Sequence, residues 1–243
     1  MEFTKHVEHF GLTTGFTEST SIGILASCGV NSSLLLYQLL TETTADIHVY
    51  SFLEDKNKSV VQPQIDRLFA RICERAERDI ILHKINDWDD AFSTVYLFDY
   101  CVNKLNLGEV SEIYSGFTHY PPPTEITDKW PEMPSYLQEL RTSDTPISTT
   151  GIELQLDTSE WEDGVETGLL SPYTVDERIY FPWINDHKQK LRDVYALYDI
   201  LWDIFPLTKS CNLEYRDPNG IDNNCGNCFK CWERSWAFGA TTA

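Results

Sequence analysis

Short apolar runs alternate with helical stripes along most of the chain. Ser21–Ala26 (SIGILA) reads as a buried strand, and Leu34–Leu40 as the start of the helix that follows it. Ile47–Leu53 (IHVYSFL) is a second strand. After it, Val61, Ile65, Leu68, Phe69, Ile72 and Ala76 keep the spacing of one helix face. Ile80–Ile85 gives a third strand, Asp87–Leu107 a third helix with Asp87 as its N-cap, and Glu112–Phe117 a fourth strand. Glu177–Trp183 (ERIYFPW) is a fifth. Asp186 then caps a helix carrying Leu191, Val194, Tyr198, Leu201 and Phe205 on one side. Strand–helix alternation of this kind predicts an α/β fold, a parallel sheet with helices on both faces.

Two stretches break the rhythm. The first 18 residues mix aromatic and charged positions without a period. The span 118–178 holds seven of the 11 prolines and 13 acidic against 3 basic residues, and it is expected to form a solvated insertion. No internal repeat stands out.

Charge narrows the partners. Nineteen Lys and Arg face 38 Asp and Glu, for a net charge of −19, and such a surface repels phosphate backbones. A small-molecule substrate is expected, and no nucleic acid. No apolar run approaches the roughly 20 residues of a membrane span, and Met1–Gly15 lacks the pattern of a signal peptide, so no membrane is expected.

Two motifs carry chemistry. Ser27-Cys28-Gly29-Val30-Asn31-Ser32-Ser33 lies between the first strand and first helix. Strand, small-residue loop and helix aim backbone N–H groups and a positive helix end at an anion, although an ordinary connecting turn needs no ligand. Near the C-terminus, Cys211 is followed by Cys225, Cys228 and Cys231 at two consecutive C-x-x-C spacings, with Asp217-Pro218-Asn219-Gly220 as a reverse turn between. Four thiolates satisfy tetrahedral zinc with no open position, so the site is structural. Redox dithiols or disulfides are the alternative, and the clustering with turn residues favours zinc. Thiolates of this kind need a reducing compartment, which points to the cytoplasm. Cys73 and Cys101 read as plain core residues.

Thr208, Ser210, Cys211, Cys225, Gly226, Cys228, Cys231, Arg234, Ala237 and Phe238 spell T-x-S-C followed by C-G-x-C-x-x-C-x-x-R and Ala-Phe. This resembles the C-terminal zinc motif of the 7-cyano-7-deazaguanine synthase (QueC) family of PP-loop ATP pyrophosphatases. Those enzymes carry S-G-G-x-D-S after the first strand. Here Ser27, Gly29 and Ser32 match, while Cys28 replaces a glycine and Asn31 an aspartate. The replacements are expected to crowd phosphate approach and to weaken magnesium placement.

The resemblance implies a PP-loop domain over 1–204, with the insertion at about 118–178, and a zinc subdomain over 205–243. It implies ATP and Mg2+ at Ser27, Cys28, Gly29, Asn31, Ser32 and Ser33, and catalytic roles for Asn31 and for Lys188, the latter as a cation. Tyr120 would contact substrate, through a Tyr-Pro that matches the family's loop after the fourth strand. The Tyr-Gly-Gln of the family's second-strand loop is replaced here by Glu54-Asp55-Lys56-Asn57-Lys58. The implied activity adenylates 7-carboxy-7-deazaguanine, condenses it with ammonia and proceeds to the nitrile, in a homodimer. A nucleotide-binding protein without adenylation, or an enzyme adenylating a different acid, stays open beside it.

Overall fold

The computed structural model describes residues 19–52, 58–85, 94–118, 121–127, 153–157, 160–162, 165–167, 170–209 and 229–239. Five parallel strands form its central sheet. They are β1 (Ser21–Leu25), β2 (Asp46–Phe52), β3 (Ile81–Ile85), β4 (Glu112–Ser115) and β9 (Ile179–Tyr180), in the order β3-β2-β1-β4-β9. The helices are α1 (Val30–Glu42), α2 (Lys58–Ala76), α3 (Thr94–Asn106), the short α4 (Pro123–Thr127), α5 (Lys188–Leu197) and α6 (Phe229–Phe238). Chain order runs outward from β1 to β3, then returns to place β4 on the other side of β1. That reversal is a topological switch point, and the carboxyl ends of β1 and β4 flank the crevice it opens.

Alternation along each strand sorts the core. Ile22, Ile24, Ile47, Val49 and Tyr114 join α1, α2, α5 and α6 in one apolar cluster; Leu25, Tyr50 and Ile113 join α3 in another on the opposite face. Helices therefore cover both faces, as the pattern predicts. Gly23 makes the second face fit: a Cβ there would lie 2.8 Å from Ile113 Cγ1 and 2.9 Å from Tyr50 Cε2.

Helix α1 is buried around most of its circumference, from Val30 to Leu40. It stops where Arg78 reaches back from beyond α2, donating to Leu40 O at 2.8 Å, to Thr43 O and to Ala45 O at 2.5 Å. α6 adds Ala237 and Phe238 to the same cluster, with Phe238 stacked on Phe205 at 4.2 Å.

Several boundaries differ from the sequence reading. The fifth strand shrinks to two residues, because turns flank it: Ile179 N–H donates back to Asp176 O and Ile184 N–H to Phe181 O. The next helix starts at Lys188 with His187 as N-cap, since Asp186 accepts from Lys190 Nζ at 2.6 Å instead of capping. It ends at Leu197, so Tyr198 closes it and Phe205 belongs to a 3-10 turn, Phe205–Leu207. Within the expected insertion the chain forms two antiparallel ladders, β5 (Glu153–Asp157) with β8 (Leu170–Thr174) and β6 (Glu160–Glu162) with β7 (Val165–Thr167). Cys101 is fully buried and Cys73 partly so. Asp87 lies outside the described residues.

Candidate functional site

The loop after β1 enters the crevice at the switch point. Gly29 is the N-cap of α1 and has no side chain with which to cap it, and no acid occupies the first turn. The first intrahelical bond runs from Ser33 N–H to Gly29 O at 3.1 Å. The N–H groups of Val30, Asn31 and Ser32 therefore have no acceptor within the helix, and the positive helix end is uncompensated by any side chain of its own first turn.

The seven loop positions divide into two sets. Cys28 and Ser33 turn inward. Cys28 is buried in the α1 core cluster, and Ser33 is fully buried with its hydroxyl donating to Gly29 O at 2.7 Å. The Cys28 side chain thus packs into the core and away from the crevice. Ser27, Gly29 and Asn31 keep access to solvent. Ser32 is nearly buried; its hydroxyl donates to Ser27 O at 2.8 Å and sits 3.4 Å from Ser27 Oγ. Ser27 Oγ in turn accepts from Gly29 N–H at 3.2 Å.

Three distant parts of the chain fix this loop. Tyr195 on α5 donates its hydroxyl to Val30 O at 2.8 Å, and burial holds that phenol well above its ordinary pKa, so it stays a donor. Asn31 Nδ2 donates to Gly116 O at 2.7 Å and to Thr118 Oγ1 at 3.0 Å, tying α1 to the segment after β4. Lys209 N–H donates to Cys28 O at 2.6 Å. The Lys209 backbone is itself clamped: Arg234 of α6 donates to Thr208 Oγ1 at 2.6 Å, Thr208 O at 3.1 Å and Phe205 O at 2.9 Å. Its guanidinium lies 3.9 Å above the Phe205 ring, and burial lowers its pKa to about 10.

Gly116 permits the closeness. A Cβ at that position would lie 3.1 Å from Asn31 C, Asn31 Cβ and Ser32 N.

Lys188, for which a catalytic role as a cation was expected, is the first residue of α5. It is buried, and its Nζ contacts Glu233 Oε2 on α6, whose side chain is 1% exposed. Cys231 is buried on α6; Cys211, Cys225, Cys228 and Tyr120 lie outside the described residues. Gly116, Thr118 and Lys209 are the loop's neighbours that sequence reading missed. A glycine closing β4 was a visible signal. Lys209 sat in the motif as an unassigned spacer.

Sheet order and crevice define an α/β protein of the class that binds ligands at the carboxyl ends of its strands. No family model matches the chain. No curated protein matches it either. Among solved structures it is similar to the U34-tRNA thiolase NcsA from Methanococcus maripaludis with its 4Fe-4S cluster, at 12% identity and a TM-score of 0.45, over 98% of this chain and 77% of that one. A likeness at that level says nothing of substrate or chemistry.

Proposed function

We propose that the chain is an ATP-using enzyme of the PP-loop kind, resembling the QueC family, that adenylates a carboxylic acid and passes it to ammonia. The observation that carries this is the uncapped start of α1 beside Ser27 and Ser32 at the switch point. Backbone N–H groups and a helix end suit the polyphosphate of a nucleotide. Asn31 Oδ1 is buried without a partner, an acceptor left for a ligand's donor or for water.

In this reading a substrate carboxylate oxygen attacks the α-phosphorus, and pyrophosphate leaves from the helix end. Ammonia then attacks the acyl carbon and AMP departs. The substrate is 7-carboxy-7-deazaguanine or a related acid. Lys209, whose backbone lies against Cys28, replaces Lys188 as the lysine best placed to balance phosphate charge. Magnesium fits less well. An amide oxygen and serine hydroxyls are weak ligands for it, and α1 offers no carboxylate in its first turn. Structural zinc at Cys211, Cys225, Cys228 and Cys231 and a homodimer remain part of the proposal, as does a cytoplasmic location. No helix among the described residues is long and apolar enough to cross a membrane.

A second reading, a nucleotide-binding protein without adenylation, is favoured by Asn31 acting as a hydrogen-bond donor and by Lys188 being consumed by Glu233. Calorimetry with ATP, then ATP consumption and product mass with 7-carboxy-7-deazaguanine and ammonium, separates the two. ATP binding with no AMP formed selects the second, and no ATP binding defeats both. Tight tRNA retention that weakens steeply with salt would defeat the small-molecule assignment.

A further inference from the structure

The loop after β1 and the segment after β4 are joined by one side chain, Asn31. Its Nδ2 reaches two acceptors on the far side of the crevice, Gly116 O at 2.7 Å and Thr118 Oγ1 at 3.0 Å, and Thr118 is itself buried. A main-chain carbonyl only accepts, so the amide must present its NH2 to Gly116 whatever the orientation assigned to it. The separation of the two segments is set tightly from the other side as well. A Cβ on Gly116 would meet three atoms of Asn31 and Ser32 at 3.1 Å.

We propose that Asn31 is a positioning residue, a donor-specific tie that holds the segment after β4 against the start of α1 and so fixes the width of the crevice. An aspartate cannot replace it. A carboxylate in the same rotamer would set an oxygen against Gly116 O, where acceptor meets acceptor with no proton between them. The resemblance noted above puts an aspartate at this position, and by itself it invites the expectation that Asn31→Asp restores a better site. The geometry gives the opposite sign: Asn31→Asp opens the tie and weakens ligand binding. The consequence for nucleotide binding rests on the function proposed above; the tie itself does not.

Ionisable groups on the surrounding elements include Cys28 in the loop, Glu112 on β4, Tyr195 on α5 and Lys209. Glu112 is held by Ser19 and Tyr114, and Tyr195 by Val30 O. All four are present in the wild type and in every variant, so a pH response confined to the Asp variant belongs to the new carboxyl group.

The test compares wild type, Asn31→Asp, Asn31→Ala and Thr118→Val by thermal unfolding and by ATP calorimetry, near pH 8 and near pH 5. Near pH 8, Asn31→Asp should unfold below Asn31→Ala and bind ATP at least about tenfold more weakly than wild type. The facing Gly116 O and the burial at the Oδ1 position favour the neutral acid and raise the new carboxyl's pKa. Lowering the pH toward 5 therefore adds the proton that donates, and the Asp variant should move toward wild type while Asn31→Ala keeps a constant offset. Thr118→Val, which removes only the second acceptor, should fold and give a smaller loss of the same kind. An Asp variant that equals wild type in stability and ATP affinity near pH 8 overturns the proposal. If wild type binds no ATP, the nucleotide reading falls and the unfolding series alone judges the tie. An Asp variant no less stable than Asn31→Ala near pH 8 then overturns it.

Discussion

The buried pair of Lys188 and Glu233 gives the sharpest test of which lysine serves the site. Lys188 is the first residue of α5, where its charge faces the positive end of its own helix. Its side chain is 9% exposed and that of Glu233 is 1%, so each depends on the other for compensation. Lys230 Nζ is the next cation, 3.8 Å from the same Glu233 oxygen and on the same helix. Glu233→Gln keeps the shape and one hydrogen-bond acceptor but strands a buried ammonium beside a helix N-terminus. Breaking a buried pair by removing one charge costs about 3–5 kcal/mol. Retaining the amide acceptor sets the expectation at the low end, about 3 kcal/mol, and for a chain of this length that lowers Tm by about 6–12 °C.

Lys188→Met should cost less, because Lys230 still faces the remaining carboxylate. The double variant Lys188→Met with Glu233→Leu should return to within about 1 kcal/mol of wild type, since matched apolar groups replace a buried pair at little net cost. Urea unfolding of wild type, Lys188→Met, Glu233→Leu and the double variant gives the coupling, and ATP turnover of the double variant gives the role. A stable double variant that still consumes ATP confirms that Lys188 holds α5 to α6. Glu233→Gln with wild-type stability would refute the energetic reasoning. A stable double variant without turnover would return Lys188 to the reaction.

Three further outcomes follow from the same structure. Burial lifts Glu42, at the end of α1, from an ordinary 4.5 to about 7, and its Oε1 has no partner. The folded state thus keeps a proton there that the unfolded chain releases, and stability falls as pH rises from about 4.5 to 7, by about 2 kcal/mol after allowing for partial exposure. Glu42→Gln should remove that slope, raising Tm near pH 8 and leaving it unchanged near pH 4, as calorimetric scans would show. Gly116→Ala should cost about 1–3 kcal/mol by forcing the segment after β4 off Asn31 and Ser32, and should weaken ATP binding, measurable by urea unfolding and calorimetry. Purified protein should carry about one zinc per chain, and Cys228→Ser should lower metal content and Tm together; elemental analysis with no zinc refutes the motif's assignment.

The sheet was legible because its inner strands β1 and β4 are buried nearly throughout and its strands read as short apolar runs between amphipathic stripes. Ser21–Leu25 and Asp46–Phe52 fall within a residue of their expected bounds. The fifth strand was overestimated for a physical reason. Ile179, Phe181 and Trp183 are all fully buried, so alternation continues after the ladder has ended, and only the turn bonds around Pro182 say where the strand stops. Helix α5 was misjudged in the same way: Leu201 and Phe205 continue its apolar spacing, but Asp199, with a φ of 55°, leaves the helical region and breaks it. At the site, the loop was visible as local composition. Its partners were not, since Gly116, Lys209 and Tyr195 lie 85 to 181 residues away from the atoms they bind, and even the glycine closing β4 does not say what it touches.

Those long-range bonds link the loop after β1 to the cysteine motif. Arg234 is three residues beyond Cys231 on α6, one turn along the helix, and its guanidinium grips Thr208 and Phe205. The next residue, Lys209, hands that grip to Cys28 O in the loop. The proposed zinc site, with Cys231 three residues before Arg234, would steady the angle at which Arg234 holds Thr208, and through Lys209 the position of Cys28 and Gly29. The zinc knot proposed above would contribute no chemistry at the crevice. Its value would be entropic: ordering the segment once, at folding, spares the loop that cost each time an anion binds. The motif residues Thr208 and Arg234, far apart in sequence and hydrogen-bonded in the fold, are the joint through which that order reaches the loop.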